Sequence, residues 1–505
     1  MVRATLSFLL ACWAPVSALA DFKLTLLHVN DTHSRIEPAV MNRKEIGGMA
    51  RLATLIDQFR ASDPNPVFVH AGDAFQGTLY FNVYEGLADL AVLKQIGVDV
   101  MALGNHEFDR GPGVLANFVR LAQFPILSAN LDLSREPSLE RVVPSVAIEI
   151  GEETVGFVGC VTEDLPLISS PGETVTMKPL VQSVQAEIDR LVADGVNKII
   201  VVSHIGYQED LALAKELRGA DVIVGGHSHS LLGAPELPGP APSRGDYPTV
   251  TKDQAGGTTL VVQAWEWAKV LGRLQVTFDD DGRIIGWGGA PVPVLDTVPE
   301  KPEVAALVAA LKKPIEALMN QKVGETTVDV PRSEPGQGAM ADLITDAMLE
   351  ATRQNGSVVA FMNSGGVRAG FEAGPLTYGQ LINVQPFANT LVVADLTGEE
   401  ILAALQSGKL FVSAGSSFTI DRKQPEGRQV KDVVIAGEPL VLDRFYRTTW
   451  NSFVAGGGDG IVQVRDSTRY KYDTGMIDVD AFIDWVKARS PLAPKAEGRI
   501  KVVGG

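Results

Sequence analysis

Five apolar runs in the first half of the chain each stop at a side chain able to bind a metal. Residues 24–29 lead to Asp31, 67–69 to Asp73, 100–103 to Asn105, 199–202 to His204 and 222–224 to His227. Short runs of this kind read as strands of an α/β fold, and open α/β sheets gather their ligands at the carboxyl ends of the strands. The repetition predicts a single cleft along one sheet edge. Helical patterns fill the gaps: residues 49–59 place Leu52, Leu55, Ile56 and Phe59 on one face, and residues 87–96 end before Gly97.

The 505 residues hold only seven histidines. Five of them, His33, His106, His204, His227 and His229, sit in short polar motifs after apolar runs. Asp31-Thr32-His33, or Asp73 after a glycine, is alone no more than a polar turn after a strand. Gly104-Asn105-His106-Glu107-Phe108-Asp109 is more specific, and Gly225-Gly226-His227-Ser228-His229 puts two imidazoles on one loop. In this order the set predicts nitrogen and oxygen ligands for two divalent ions, an arrangement suited to phosphoester hydrolysis. His28 and His70 lie inside strand-like runs and read as core residues or as supports behind the ligands.

Domain limits follow from changes in pattern. Arg3, an apolar stretch over 6–13 and Ala18-Leu19-Ala20 before Asp21 have the layout of a secretory signal. Leu9-Leu10-Ala11-Cys12 also offers a lipidation box, but the apolar stretch continues past Cys12 and Leu10 is bulky for that role. No other stretch reaches the roughly 20 apolar residues of a spanning helix. The expectation is an exported protein, periplasmic or secreted, without a membrane span. Its remaining cysteine, Cys160, lies in an apolar run and reads as a small buried hydrophobe, which leaves no intrachain disulfide.

A Pro/Gly-rich loop over 237–247 precedes an alternating run over 259–278 that reads as strands closing the first domain. Residues 302–319 carry Val304, Leu307, Val308, Leu311, Ile315 and Leu318 at helical spacing, with Pro302 at the start and Pro314 as a kink. The expected division is 1–20 signal, 21–300 first domain, 301–323 connecting helix and 324–505 second domain. The second domain mixes strands and helices with glycine-dense loops and has no histidine. A net charge of −17 argues against binding long nucleic acid, so an anionic substrate must be small.

The ordered motifs resemble those of the calcineurin-like metallophosphoesterases, and more narrowly the bacterial 5′-nucleotidase and UDP-sugar hydrolase family, over nearly the whole mature chain. The resemblance implies an α/β fold: an N-terminal metallophosphoesterase sandwich of sheets flanked by helices, and a C-terminal α/β substrate-binding domain. It implies that Asp31, His33, Asp73 and His229 bind one ion and Asp73, Asn105, His204 and His227 the other, with zinc, manganese, iron or cobalt all compatible. His106 and Asp109 would form a catalytic dyad that stabilises phosphoryl charge. One position departs from the pattern: His229 stands where the nearest relatives usually carry an amide.

Met362-Asn363-Ser364-Gly365-Gly366-Val367-Arg368 resembles the family's Asn-x-Gly-Gly-x-Arg segment, which implies that Arg368 faces phosphate, with Arg332 as a second arginine. The segments around Phe387 and Phe453 resemble those whose aromatics sandwich a base. By the same resemblance Asn389 meets a base edge, Asp459 the ribose hydroxyls, and Gly415 lies under the base. Residues 339–344 depart from the usual Gly-Asn before Leu-Ile and read as a helix start behind Arg332.

The implied activity is that of a 5′-nucleotidase releasing phosphate from nucleoside monophosphates, extending to nucleotide sugars or di- and triphosphates, by in-line attack of hydroxide on phosphorus. Base clamp and metal ligands would lie on different halves, which must face each other. Three alternatives stay open: a 2′,3′-cyclic-nucleotide phosphodiesterase/3′-nucleotidase, a thiosulfohydrolase of sulfur oxidation, and a non-catalytic nucleotide-binding protein. A capture protein would have no use for the His106–Asp109 dyad. Oligomeric state is left open.

Overall fold

The structure is a computed structural model and describes residues 21–504 apart from 240, 334–337, 388 and 426. The expected signal at 1–20, with the lipidation box at Cys12, lies outside these residues. All five runs that precede candidate ligands are strands: Phe22–Val29, Pro66–His70, Val100–Ala102, Ile199–His204 and Val222–Gly225. They do not share one sheet. The first three belong to a seven-stranded sheet and the last two to a six-stranded sheet, so the expectation of one sheet edge is corrected to a rim formed by two sheets.

The strands are mostly apolar on both sides because both of their faces are covered. Leu24 and Leu26 pack inward with Val67, Val69 and Val100 against Phe157, Ile200, Val202, Val222 and Val224 of the other sheet. Leu27 and Val29 face outward to the helices Met49–Ser62, Leu87–Ile96 and Gly111–Leu121. Helices Leu180–Ala193 and Tyr207–Glu216 cover the second sheet, which completes four layers. The alternating run after residue 258 joins the two sheets. Thr258–Gln263 lies parallel to Val222–Gly225, and Val270–Phe278 lies antiparallel to Phe22–Val29. The chain therefore crosses from one sheet to the other over residues 264–269.

Pro302–Met319 is one helix that continues through Pro314. Proline removes a backbone donor within it, and the Tyr84 hydroxyl donates to the Leu311 carbonyl at 2.9 Å just before the interruption. Val304 and Ile315 are buried in the first-half core, Leu318 packs against the second-half core, and Met319 touches both.

In the second half a five-stranded sheet runs in the order Leu410–Val412, Val359–Asn363, Phe445–Asn451, Thr390–Thr397, Lys471–Ile477. Its centre packs Phe361 against Trp450, ring centroids 4.5 Å apart. Val359–Asn363 and Phe445–Asn451 are neighbours and parallel, so the loops after Asn363 and Asn451 emerge side by side. Residues 339–344 do open a helix, Ala339–Thr352. Among the described residues no helix is long and apolar enough to cross a membrane. Cys160 is free and fully buried, and burial pushes its thiol up to about 12.

Candidate active site

Both sheets end at the same rim, and tight turns there hold the candidate ligands. Asp31, His33, Asp73, His227 and His229 adopt left-handed backbone with φ of 50, 48, 58, 74 and 48°. Such a conformation is uncommon for residues with a Cβ and persists only where its surroundings fix it. Gly104 lets two of these loops close, since a Cβ there would collide with Asp73 Oδ1.

The side chains converge as three overlapping groups, each with its ligand atoms within 4.8 Å of one another: Asp31, His33 and His229; His33, Asp73 and His106; Asp73, His204 and His227. Asp73 belongs to two of them. His33 Nδ1 bonds the Phe75 carbonyl at 3.1 Å and His204 Nδ1 the Ala71 carbonyl at 2.7 Å, which leaves both Nε2 lone pairs for the cleft. Asn105 Oδ1 lies 2.9 Å from His227 Nδ1. The backbone N–H of His227 donates to Asp31 Oδ2 at 3.0 Å, which ties the two sheets together at the site.

This donor set fits a pair of divalent cations. It offers imidazole nitrogens and carboxylate or amide oxygens without a thiolate, the shell that zinc, manganese, iron and cobalt share. His204 Nε2 is fully buried and makes no well-aligned hydrogen bond, although Asp73 Oδ2 is 3.0 Å away. Burial would raise the Asp31 and Asp73 carboxyls, but the surrounding histidines outweigh it and hold both below the usual carboxylate range. Burial would lower His204 and His229, yet the carboxylates push them up to about 9 and about 10. Protons and metal cations compete for such nitrogens. His33 and His227, where burial dominates, fall to about 3 and about 4.

His106 and Asp109 form a pair with Nδ1 2.6 Å from Oδ2, and Asp109 Oδ1 accepts from Ser169 Oγ at 2.8 Å. Burial opposes protonation of His106, but Asp109 and Asp73 prevail and raise it to about 10. Asp109 thus favours the protonated imidazole, which lies against the His33–Asp73 side of the ligand cluster.

Glu107 stands inside one of the sequence motifs but has no role assigned from the sequence. Its carboxylate accepts backbone N–H groups of Asp73, Ala74, Phe75 and Gly104 and so staples the Asp73 loop to the Asn105 loop. Its position between two recognised motif residues was the available signal. Ser169 and Glu266, which hold Asp109 and His229, were missed entirely. His28 and His70 are fully buried and bond Tyr247 and Thr32.

A cavity of about 380 Å³ opens beside the cleft. Phe387 and Phe453, both about half exposed, line it together with Asn363, Asn389 and Asp459 of the second half. Asn363 Nδ2 donates to Asp459 Oδ2 at 2.7 Å. Gly458 has no side chain to displace the Phe453 ring, whose nearest atoms would lie 2.5 Å from a Cβ. Arg35 and Trp267 of the first half complete the wall, with the guanidinium 4.3 Å from the Trp267 ring centroid. Neither was singled out from sequence. The backbone N–H of Trp267 donates to the Asp31 carbonyl at 2.8 Å, so this wall is joined directly to the candidate ligand cluster. Arg332, Arg368 and Gly415 are not among the lining residues. Arg332 is exposed, Arg368 stacks over Phe387 at 5.7 Å, and Gly415 turns with φ 78° before the strand Ser417–Asp421.

Comparison with known proteins adds independent information. Residues 24–231 match the calcineurin-like phosphoesterase family and residues 319–466 the 5′-nucleotidase C-terminal domain. A 5′-nucleotidase of Mus musculus is 33% identical across 98% of this chain and 93% of its own length. The crystal structure of a 5′-nucleotidase precursor from Thermus thermophilus is 42% identical with a TM-score of 0.68, covering 96% of this chain and 100% of that one. A Haemophilus influenzae NAD nucleotidase is 25% identical with a TM-score of 0.76 over 96% and 100%.

Proposed function

The chain belongs to the 5′-nucleotidase family of calcineurin-like metallophosphoesterases, metal-dependent enzymes that hydrolyse nucleoside monophosphates, and from that premise we propose how its residues divide the work. Asp31, His33, Asp73 and His229 hold one divalent ion and Asp73, Asn105, His204 and His227 a second. Two such ions supply Lewis acidity to the phosphoryl oxygens and lower the pKa of water. His106, kept protonated by Asp109, donates a charged hydrogen bond to the phosphoryl group in the transition state. Backbone N–H groups that Glu107 gathers fix the spacing between Asp73 and Asn105.

Phe387 and Phe453 take the base between them, a mode that tolerates different bases because each has a π face. Asn389 meets the base edge and Asp459 the ribose hydroxyls. Asn363 steadies Asp459. Arg332, Arg368 and Gly415 keep their assigned substrate roles, with Arg368 acting from its place beside Phe387.

The observation that carries this reading is the shared wall: Trp267 lines the aromatic cavity and bonds the backbone of Asp31. A nucleotide can then span from base clamp to metal cleft. The same reading divides the chain into a metallophosphoesterase domain at 21–300, a connecting helix at 301–323 and a substrate-binding domain at 324–505. Sheet membership supports that division. Export to the periplasm or medium follows from the signal-like first 20 residues. A phosphate-release panel over AMP, cyclic nucleotides and simple aryl phosphates, run on metal-stripped protein with single ions restored, tests the whole. AMP turnover that requires added metal is expected, and metal-independent turnover refutes the assignment.

A further inference from the structure

The His229 imidazole is gripped from both sides. Its Nδ1 bonds Glu266 Oε2 at 2.8 Å, while its Nε2 faces Asp31 Oδ1 at 3.2 Å and lies 3.0 Å from His33 Nε2. An imidazole can present either nitrogen to a cation, and the partner of the other nitrogen decides which. With Nδ1–H donated to a carboxylate, the Nε2 lone pair is left for the cleft.

Glu266 is itself held. Lys269 Nζ donates to Oε1 at 2.6 Å, and the ammonium sits 4.4 Å and 3.9 Å from the ring centroids of Trp265 and Trp267. Burial disfavours this ammonium, and the two indole faces together with Glu266 offset part of that cost. The backbone here is the crossing between sheets, and Trp265, Trp267 and Ala268 all take left-handed φ of 61, 57 and 52°. Two bonds tie this strained turn to the first ligand loop: Asn30 Nδ2 donates to the Trp265 carbonyl at 2.6 Å and Trp267 N–H to the Asp31 carbonyl at 2.8 Å.

We infer that Glu266, steadied by Lys269 between Trp265 and Trp267, is a positioning residue that fixes the tautomer and direction of His229 and thereby sets the affinity for the ion shared with Asp31 and His33. The inference rests on the metal assignment proposed above. A carboxylate behind an imidazole raises the basicity of the ligating nitrogen, which favours borderline cations over magnesium and calcium. Glu266 and Lys269 hydrogen-bond none of Asn105, His204 and His227, so the second ion that those residues would hold should not sense this relay.

The test uses the full chain, stripped of metal, as wild type, E266A and E266Q. Calorimetric titration with manganese should give two sites in the wild type. E266A should weaken one of them by roughly 10- to 100-fold and leave the other unchanged. E266Q keeps an acceptor for Nδ1–H without the charge and should fall between. In cobalt-loaded protein the visible absorption bands should shift in E266A, a readout that a general loosening of the fold would not give without loss of both sites. Equal affinities and identical cobalt spectra in all three proteins would overturn the inference while leaving the metal assignment standing. If E266A fails to fold, E266Q with wild-type affinities and spectrum overturns it alone. A wild type that binds no pair of ions would remove the metal assignment and this inference together.

Discussion

Glu107 accepts a hydrogen bond from the backbone N–H of Asp73 at 3.0 Å, and the same carboxylate takes the N–H of Gly104 at 2.7 Å. One buried acid therefore fixes the spacing between two strands' ends, where the sheet ladder has already stopped. Burial and the neighbouring Asp73 push its pKa up to about 7, against the backbone donors that favour its charged form.

Glu107→Gln replaces one acceptor oxygen by a donor that faces backbone N–H groups. A buried group left unpaired costs about 1–3 kcal/mol. Urea unfolding of metal-stripped protein should show a loss of that order, with weaker manganese binding at both sites. Unchanged stability would mean the four bonds do not organise the loops.

Asp73→Asn should lower turnover of AMP by more than the roughly 100-fold that loss of a supporting partner costs. Its far-ultraviolet circular dichroism should match wild type, because Asp73 lies in a turn outside the strands. Retention of most of the activity would contradict a bridging role.

Phe453→Ala removes one face of the proposed base clamp. Stacking of a base on an aromatic ring is worth about 1–3 kcal/mol, so KM for AMP should rise accordingly while KM for an aryl phosphate changes little. Equal losses for both substrates would place Phe453 in the fold and not in recognition.

The His106–Asp109 pair gives a pH signature. The folded protein raises the imidazole pKa from 6.5 to about 10, burial opposing and Asp109 prevailing, so folding strengthens proton binding. Stability from this pair is complete below the ordinary value of 6.5 and is lost as pH rises through about 10. Asp109→Asn leaves burial unopposed by its partner, so the imidazole should titrate lower. Nuclear magnetic resonance titration of His106 in metal-stripped protein, with unfolding followed across the same range, checks both. A titration unaffected by Asp109→Asn would dissolve the dyad.

The candidate ligand loops were legible because each follows a short run dominated by buried apolar residues, and such runs end where a polar side chain can reach a cleft. The partition into two sheets was not legible for the same reason: Leu24 and Leu27 face different layers, yet both read simply as apolar. Glu266 escaped notice because its bond to His229 exists only where the chain crosses between sheets. Arg35 and Trp267 became part of the aromatic cavity only through the placement of one half against the other. Phe387 and Phe453 were singled out only by the resemblance of their flanking segments, since half-exposed rings have no periodic signature.

The convergence of two sheet rims on Asp73 is tested most directly by anomalous diffraction from manganese-soaked crystals at the metal's absorption edge. Two peaks should appear on either side of the Asp73 carboxylate, one beside Asp31, His33 and His229 and the other beside Asn105, His204 and His227. A single peak, or peaks away from Asp73, would contradict the account.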